Sequence, residues 1–252
     1  MPGFEHGVLD TGGDWKFREN AECWTLNAEP EPSEVEPTIL SVMNGLLGSG
    51  LTVLLLGSAL ETVQIDYAAL WGKATPFHEF LENVRARQDQ WRSRFANAAI
   101  DAAALTEARA LPGRRRILVI AEDRCSDSAW AVPYIAKLAA AVPEKLELRV
   151  IGRREGRRVQ AAHLTPDGRL ATPTIAVLDE QASFIGAWVE RPAELQKWFI
   201  AQKPMLSSDD LHEQMAKWYT DDAGRSTVRE LLLILGRQAD ARPDGRADGG
   251  SE

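Results

Sequence analysis

The stretch that decides the fold is Arg114-Arg-Arg-Ile-Leu-Val-Ile-Ala-Glu-Asp-Arg-Cys125-Ser-Asp-Ser-Ala-Trp-Ala-Val-Pro133. Its apolar run from Ile117 to Ala121 predicts a strand, and a short polar turn follows. Cys125 comes just past that turn, where a helix is predicted to begin. Backbone N–H groups at a helix start carry partial positive charge and stabilise a thiolate placed there. This order of elements therefore predicts a reactive sulfur.

A second landmark is Ala171-Thr-Pro-Thr-Ile-Ala-Val-Leu-Asp179, which predicts a turn entering a β-branched strand. Together the two stretches resemble the active-site region of the thioredoxin superfamily, where Trp-Cys-x-x-Cys is usually followed by a proline within the helix. Here the motif is Arg124-Cys125-Ser126-Asp127-Ser128, and the helix proline is Pro133. The resemblance covers residues 113–201 and implies a thioredoxin-like three-layer α/β/α domain, with added helices at both ends.

The resemblance also implies which residues form the site. Cys125 would be the nucleophilic thiolate, assisted by the neighbouring Arg124. In thioredoxins a cis-proline lies beside the active cysteine, so the bond between Thr172 and Pro173 is expected to be cis. The same two residues would offer an extended backbone edge to a substrate chain, as in strand-addition recognition.

Ser128 stands where the second cysteine of the family motif is expected. It cannot close an intramolecular disulfide, although its hydroxyl could donate a hydrogen bond to the Cys125 thiolate. A mixed disulfide at Cys125 would be resolved by glutathione or by a thiol of a partner protein. This Cys-x-x-Ser motif therefore predicts monothiol exchange with protein disulfides or thiols, with no bound cofactor. Cys23 lacks any activating pattern, and we expect no role for it.

A different class of function stays open, in which the fold is a non-catalytic module that binds a protein or peptide at the Pro173 edge. Thioredoxins usually carry a buried acid on the strand leading to the active cysteine. Here that strand is apolar, and the acids Glu122 and Asp123 lie only in the turn. Asp127 also acts against the redox interpretation, because a nearby carboxylate disfavours a thiolate.

The charge is concentrated at one end of the chain. The 252 residues carry a net charge of −8, but residues 1–37 hold nine acidic and two basic residues. The remainder is therefore near neutral, which argues against general affinity for nucleic acid. Cys23 and Cys125 are the only cysteines. Neither belongs to a metal-ligand cluster, and two cysteines are too few for a disulfide-stapled secreted scaffold.

Residues 39–60 contain no charged side chain, and a bilayer-spanning helix needs about 20 predominantly apolar residues. No Lys or Arg lies in the 20 residues before this run, whereas Lys73 and several arginines follow it. That bias predicts a membrane anchor with the thioredoxin-like part in the cytoplasm. A buried hairpin of soluble helices is the alternative, because Gly48-Ser-Gly50 interrupts the run.

The rest of the chain divides by composition and periodicity. Apolar spacing from Phe77 to Phe95 predicts one amphipathic helix. Four arginines in residues 152–158 predict a solvated basic loop. The stretch Lys217 to Ser226 resembles the C-terminal region of bacterial thioredoxin-family proteins. The predicted organisation is a disordered acidic tail at 1–37, an apolar helix at 38–60, a helical extension at 61–112, the thioredoxin-like domain at 113–201, a C-terminal helical extension at 202–237 and a disordered tail at 238–252.

Within the thioredoxin-like domain, we predict alternating strands and helices. Strand Ile117–Ala121 leads into helix Ser128–Ala141, and strand Leu146–Ile151 then pairs in parallel with the first strand. Strands Ile175–Leu178 and Ser183–Val189 are predicted to form a hairpin. A last helix is expected from Pro192 to Ala201.

Overall fold

A computed structural model describes residues 64–238. The acidic tail, the apolar run at 39–60, Cys23 and nearly all of the last tail lie outside these residues. Within 64–238, none of the helices has the length and apolar character that a membrane crossing requires.

The described chain alternates between helices and strands. Before the cysteine come α1 (Tyr67–Lys73), β1 (Thr75–Pro76), α2 (Phe77–Asn83), α3 (Gln88–Asn97), α4 (Ala102–Arg109) and β2 (Arg115–Ile120). After it come α5 (Ser126–Ala141), β3 (Leu146–Ile151), α6 (Arg153–Ala162), β4 (Thr174–Leu178), β5 (Phe184–Val189), α7 (Ala193–Gln202), α8 (Ser208–Asp222) and α9 (Arg225–Leu235).

The strands form one mixed sheet in the order β1-β3-β2-β4-β5. Strands β2 and β3 are parallel, and their connection passes through α5. The pairs β1–β3, β2–β4 and β4–β5 are antiparallel. The predicted parallel pair and hairpin are therefore confirmed. The short strand β1 adds to the sheet edge, so residues 61–112 contribute a strand as well as helices.

Apolar side chains on alternate positions of β2 face opposite layers, as the two-residue period of a strand requires. Ile117 and Val119 join a core cluster that contains residues of α2, α3, α5 and α9. Leu118 and Ile120 join a second cluster with residues of α1 and α6. The sheet thus has helices on both faces, which confirms the three-layer α/β/α fold. The helices on either side of residues 113–201 share its main core.

The predicted single helix from Phe77 to Phe95 is wrong, because the structure divides it into α2 and α3. The backbone N–H groups of Arg85 and Ala86 donate to one carboxylate oxygen of Asp123, at 2.8 and 2.9 Å. Arg87 then adopts a left-handed conformation with φ of 53°. A contact from a distant turn thus replaces the helical hydrogen bonds at this break.

The predicted basic loop at residues 152–158 is also wrong, since most of these residues form α6. Helix α6 buries Gly156, Val159 and Gln160 against the sheet and leaves most of its arginines exposed. A Cβ atom at Gly156 would lie only 2.4 Å from the Ile120 side chain. Glycine is needed there for the helix to approach β2.

The two C-terminal helices have defined ends. The Ser207 side chain caps α8 by accepting a hydrogen bond from the Asp210 N–H. Gly224 separates α8 from α9 with φ of 76°, and a Cβ there would meet the Tyr134 ring. At the other end of α9, the buried Arg115 side chain donates to the Leu235 carbonyl at 2.9 Å. A cation at this end also stabilises the helix dipole.

His163 follows α6 and packs beside the second core cluster, so the dependence of stability on pH tests its burial there. Its ring stacks on Phe184 with centroids 4.9 Å apart, and burial lowers the pKa of His163. The folded protein therefore binds this proton less tightly than the unfolded chain. The free energy of unfolding should fall as the pH drops through the unfolded value of about 6.5. We expect His163→Phe to flatten this dependence between about pH 7 and pH 5.

Urea denaturation across this pH range measures the effect, with His78→Gln at an exposed position as the control. A His163→Phe protein whose stability falls as steeply with acid as the wild type would contradict the assignment.

Candidate functional site

Cys125 is the residue that precedes helix α5, with extended backbone angles of φ −72° and ψ 122°. Its N–H donates to the Glu122 carbonyl at 3.1 Å, and its own carbonyl accepts from the Ala129 N–H at 3.0 Å. The side chain is buried, with 2% of the residue exposed. Its Sγ donates a hydrogen bond to the Thr172 carbonyl at 3.1 Å. Cys125 and Thr172, two of the predicted site residues, are thus in direct contact.

The segment opposite the cysteine is the loop that enters β4. The Thr172–Pro173 peptide bond is cis, as the resemblance implies. The Pro173 carbonyl accepts a hydrogen bond from the Glu190 N–H at 2.8 Å. Residues 171–173 are all buried, and the Gln160 side chain donates to the Ala171 carbonyl at 2.6 Å. The expected backbone edge is therefore present but covered.

The other two predicted site residues differ in exposure. Ser128 is fully buried, and its Oγ has no hydrogen-bond partner within the described part of the chain. Arg124 is exposed, and its Nε lies 3.4 Å from a carboxylate oxygen of Glu122. Its carbonyl accepts a hydrogen bond from Arg87 Nε at 2.7 Å.

An open cavity of 410 Å³ lies next to Arg124. Its walls come from the end of α2, the turn before α3 and the turn before Cys125; the lining includes Phe80, Val84, Arg85, Glu122 and Arg124. The exposed side chain of Arg85 adds a second cation at this opening. The carboxylates of Glu122 and Asp123 also line the cavity, so its two cations are balanced by two acids.

A buried charge cluster, formed by Asp127, Arg191 and Tyr219, lies beneath the start of α5. Arg191 donates through Nε and Nη2 to the two Asp127 carboxylate oxygens, at 3.0 and 2.8 Å. The Tyr219 hydroxyl donates to the same carboxylate at 3.0 Å. All three residues are less than 4% exposed. Asp127 is the second residue of the helix, and its carboxylate thus accepts three hydrogen bonds.

The cluster continues through Glu190 to the surface. Arg191 lies 2.8 Å from one Glu190 carboxylate oxygen, and Arg169 donates to both Glu190 oxygens at 3.2 and 3.0 Å. Arg169 in turn bonds Asp167 at 2.6 Å. Glu190 itself has φ of 64°, a left-handed conformation that non-glycine residues adopt at an energetic cost. Acids and bases therefore alternate along one connected network.

Burial and charge act in opposite directions within this network. Burial raises the pKa of Glu190, while the neighbouring Arg191 acts to lower it. Burial alone would lower the pKa of Arg191, but Asp127 and Glu190 outweigh it and raise the value. Burial and the nearby Asp127 raise the pKa of Tyr219 well above its usual value. Arg191 therefore stays charged, and Tyr219 stays a neutral donor.

Aromatic rings enclose the cluster. The Tyr219 ring stacks on Trp130 with centroids 5.2 Å apart and planes 7° apart. The Arg94 guanidinium lies 3.3 Å above the Trp130 ring, and the Arg191 guanidinium lies 3.9 Å above the Phe199 ring. Guanidinium groups at such distances are attracted to the ring faces, and this attraction offsets part of the cost of burying them.

Sequence reasoning missed Arg191 and Tyr219, and it interpreted Asp127 only as a charge opposing the thiolate. One signal was present, because Glu190-Arg191-Pro192 directly follows an apolar strand, where charged residues next to a core need partners. No group of His, Cys, Asp and Glu side chains among residues 64–238 is arranged to hold a metal ion.

The comparisons with known proteins agree with this fold. A family model described as thioredoxin matches residues 74–212, more than half of the chain. Similar solved structures include a protein of unknown function from Pseudomonas aeruginosa, with 20% identity and a TM-score of 0.54. An HIV epitope-scaffold is also similar, with 21% identity and a TM-score of 0.53. Each match covers 68% of this chain and 98% of the other, and at such identities the likeness shows the fold alone.

No curated protein matches this chain in sequence. The family match nevertheless includes Cys125, the cis-Pro173 loop and Arg191, and the sheet order with its two helical layers is thioredoxin-like. The chain therefore belongs to the thioredoxin family.

Proposed function

We propose that this protein carries out monothiol thiol-disulfide exchange through Cys125. The observation that carries the proposal is the position of Sγ, at the N-terminus of a 16-residue helix and 3.1 Å from the Thr172 carbonyl of the cis-proline loop. The helix N-terminus favours the thiolate that forms when the thiol loses its proton. The main-chain edge of this loop lies next to the sulfur, and a substrate chain would pair with it once the segments that cover it open.

The exchange takes place in two steps. The Cys125 thiol gives up its proton to water, and Sγ attacks one sulfur of a disulfide R–S–S–R′. A bond forms between Sγ and that sulfur, the original S–S bond breaks, and R′–S⁻ leaves and takes up a proton. Glutathione or a thiol of a partner protein then loses its proton and attacks the R–S sulfur, which releases Cys125. The net reaction exchanges one thiol for another across the disulfide.

The remaining site residues have supporting roles in this scheme. Ser128 carries no sulfur, so the second step requires an external thiol. The cavity beside Arg124 would receive a part of the substrate or glutathione that carries charges of both signs, because Arg85, Glu122 and Asp123 also line it. A reducing compartment such as the cytoplasm would supply the resolving thiol.

Removing the sulfur should remove the activity. In an assay that follows glutathione-dependent reduction of a small disulfide, Cys125→Ser is expected to fall to the uncatalysed rate. The matched variant Cys23→Ser should keep the wild-type rate, because that thiol has no activating pattern. Activity that survives in Cys125→Ser, or a wild-type rate equal to background, would refute the proposal.

A second function is favoured by one observation, which is that Cys125 is only 2% exposed. A covered thiol suits a module that binds a protein or peptide partner at the Pro173 edge without covalent chemistry. Under this alternative, partner binding persists in Cys125→Ser, whereas exchange through the thiol requires the sulfur.

A further inference from the structure

We propose that Asp127, Arg191 and Tyr219 are positioning residues that hold Cys125 in its covered place. The positioning role deepens the proposed function. It rests on that function only in so far as Cys125 is taken to be the reacting group. Two segments enclose Sγ, the start of α5 and the cis-proline loop, and side chains from distant parts of the chain hold both in place.

The first of these segments is the start of α5. Asp127 is the second residue of this helix, two residues after Cys125, and its carboxylate accepts three hydrogen bonds. An isolated buried carboxylate would be strongly unfavourable, so this turn is stable only where Arg191 and Tyr219 meet it. The cluster therefore fixes the turn from which Cys125 extends.

The second segment is the cis-proline loop. It is held by Glu190, the residue next to Arg191 after β5. The Glu190 N–H donates to the Pro173 carbonyl at 2.8 Å, while the next residue, Arg191, binds Asp127. Residues 190–191 thus connect both segments that meet at Sγ. The left-handed conformation of Glu190 directs its N–H and the Arg191 side chain to these two partners. Strain at such a position is typical of functional sites.

Helix α8 also takes part in holding the cysteine turn, although it lies outside residues 113–201, which carry the resemblance. Its Tyr219 is fully buried between Trp130 and the Asp127 carboxylate. Since burial keeps its hydroxyl protonated, Tyr219 acts as a donor across the ordinary pH range. Helix α8 therefore contributes directly to the order of the cysteine turn.

The test is the rate at which iodoacetamide alkylates Cys125 in the full chain carrying Cys23→Ser. Reagent reaches a covered thiol only when the turn opens, so the rate reports the opening equilibrium. Tyr219→Phe keeps the ring stack and removes one hydrogen bond to a carboxylate. We expect its rate to rise by roughly tenfold, which corresponds to about 1.4 kcal/mol. Tyr67→Phe is the matched control, because it removes a hydroxyl 3.4 Å from His163 on the other side of the sheet.

Two results would overturn the inference. One is a Tyr219→Phe rate equal to that of Tyr67→Phe. The other is an increase that grows with urea as steeply as global unfolding does, because a local opening exposes little surface and depends weakly on urea. Failure of the proposed exchange has a different signature, in which alkylation still responds to Tyr219→Phe but no glutathione-dependent reduction is seen.

Discussion

Replacing Arg191 with methionine is expected to lower the free energy of unfolding by about 3–5 kcal/mol, because the change leaves the buried Asp127 carboxylate without its counter-charge. The Arg191 side chain is fully buried and contacts both Asp127 and Glu190. The loss should be smaller at pH 5 than at pH 8. Arg191 acts to lower the pKa of Glu190, so without Arg191 this carboxyl takes up a proton more readily in acid and its part of the loss becomes smaller.

Urea denaturation at the two pH values measures this effect. Arg154→Met, at an exposed position of α6, is the matched control and should change stability by no more than about 0.5 kcal/mol. Adding Asp127→Asn to Arg191→Met should recover part of the loss, since the buried charge that lost its partner is removed. A loss below about 1 kcal/mol would mean that Arg191 does not compensate these carboxylates.

Replacing Trp91 with alanine is the second large effect we expect, with a loss of about 3–5 kcal/mol. Trp91 is completely buried in the main core and lies edge-on to Phe80 with centroids 5.1 Å apart. Its indole N–H also donates to the Asp123 carbonyl at 2.8 Å, two residues before the cysteine. The substitution therefore leaves a cavity and removes a hydrogen bond that holds the cysteine turn.

Trp91→Phe separates these two contributions, because it keeps an aromatic ring and removes the N–H. Its loss should be about 1–2 kcal/mol. Thermal denaturation of both variants gives the comparison. If Trp91→Ala unfolds with nearly wild-type stability, helix α3 would not belong to the main core.

The central strands and the helix after the cysteine could be predicted because their signals are local. The run Ile117–Ile120 is apolar at every position, as a strand covered on both faces requires. Parallel pairing with Leu146–Ile151 follows from the length of the helical crossover. The positions of Cys125 before a helix and of Pro173 in the loop before β4 could likewise be predicted, since each belongs to a short motif.

The charge cluster could not be predicted in the same way. Asp127 lies 64 residues from Arg191 and 92 residues from Tyr219, so no local pattern connects them. The break between α2 and α3 has a similar origin, because it depends on Asp123 from a distant turn. In residues 152–158, the four arginines favoured a loop over a helix in the prediction, because the buried face of this helix is small. The helix packs through the close approach of Gly156 to Ile120, which depends on the folded structure.

The measurement that tests the central claim most directly is intact-mass spectrometry of the Cys23→Ser protein after incubation with oxidised glutathione. Monothiol exchange through Cys125 predicts one glutathionyl group per chain, removed again by reduced glutathione. The Cys23→Ser, Cys125→Ser double variant should acquire none. A Cys23→Ser protein that remains unmodified in its folded state, yet is modified once urea unfolds it, would contradict exchange through this cysteine.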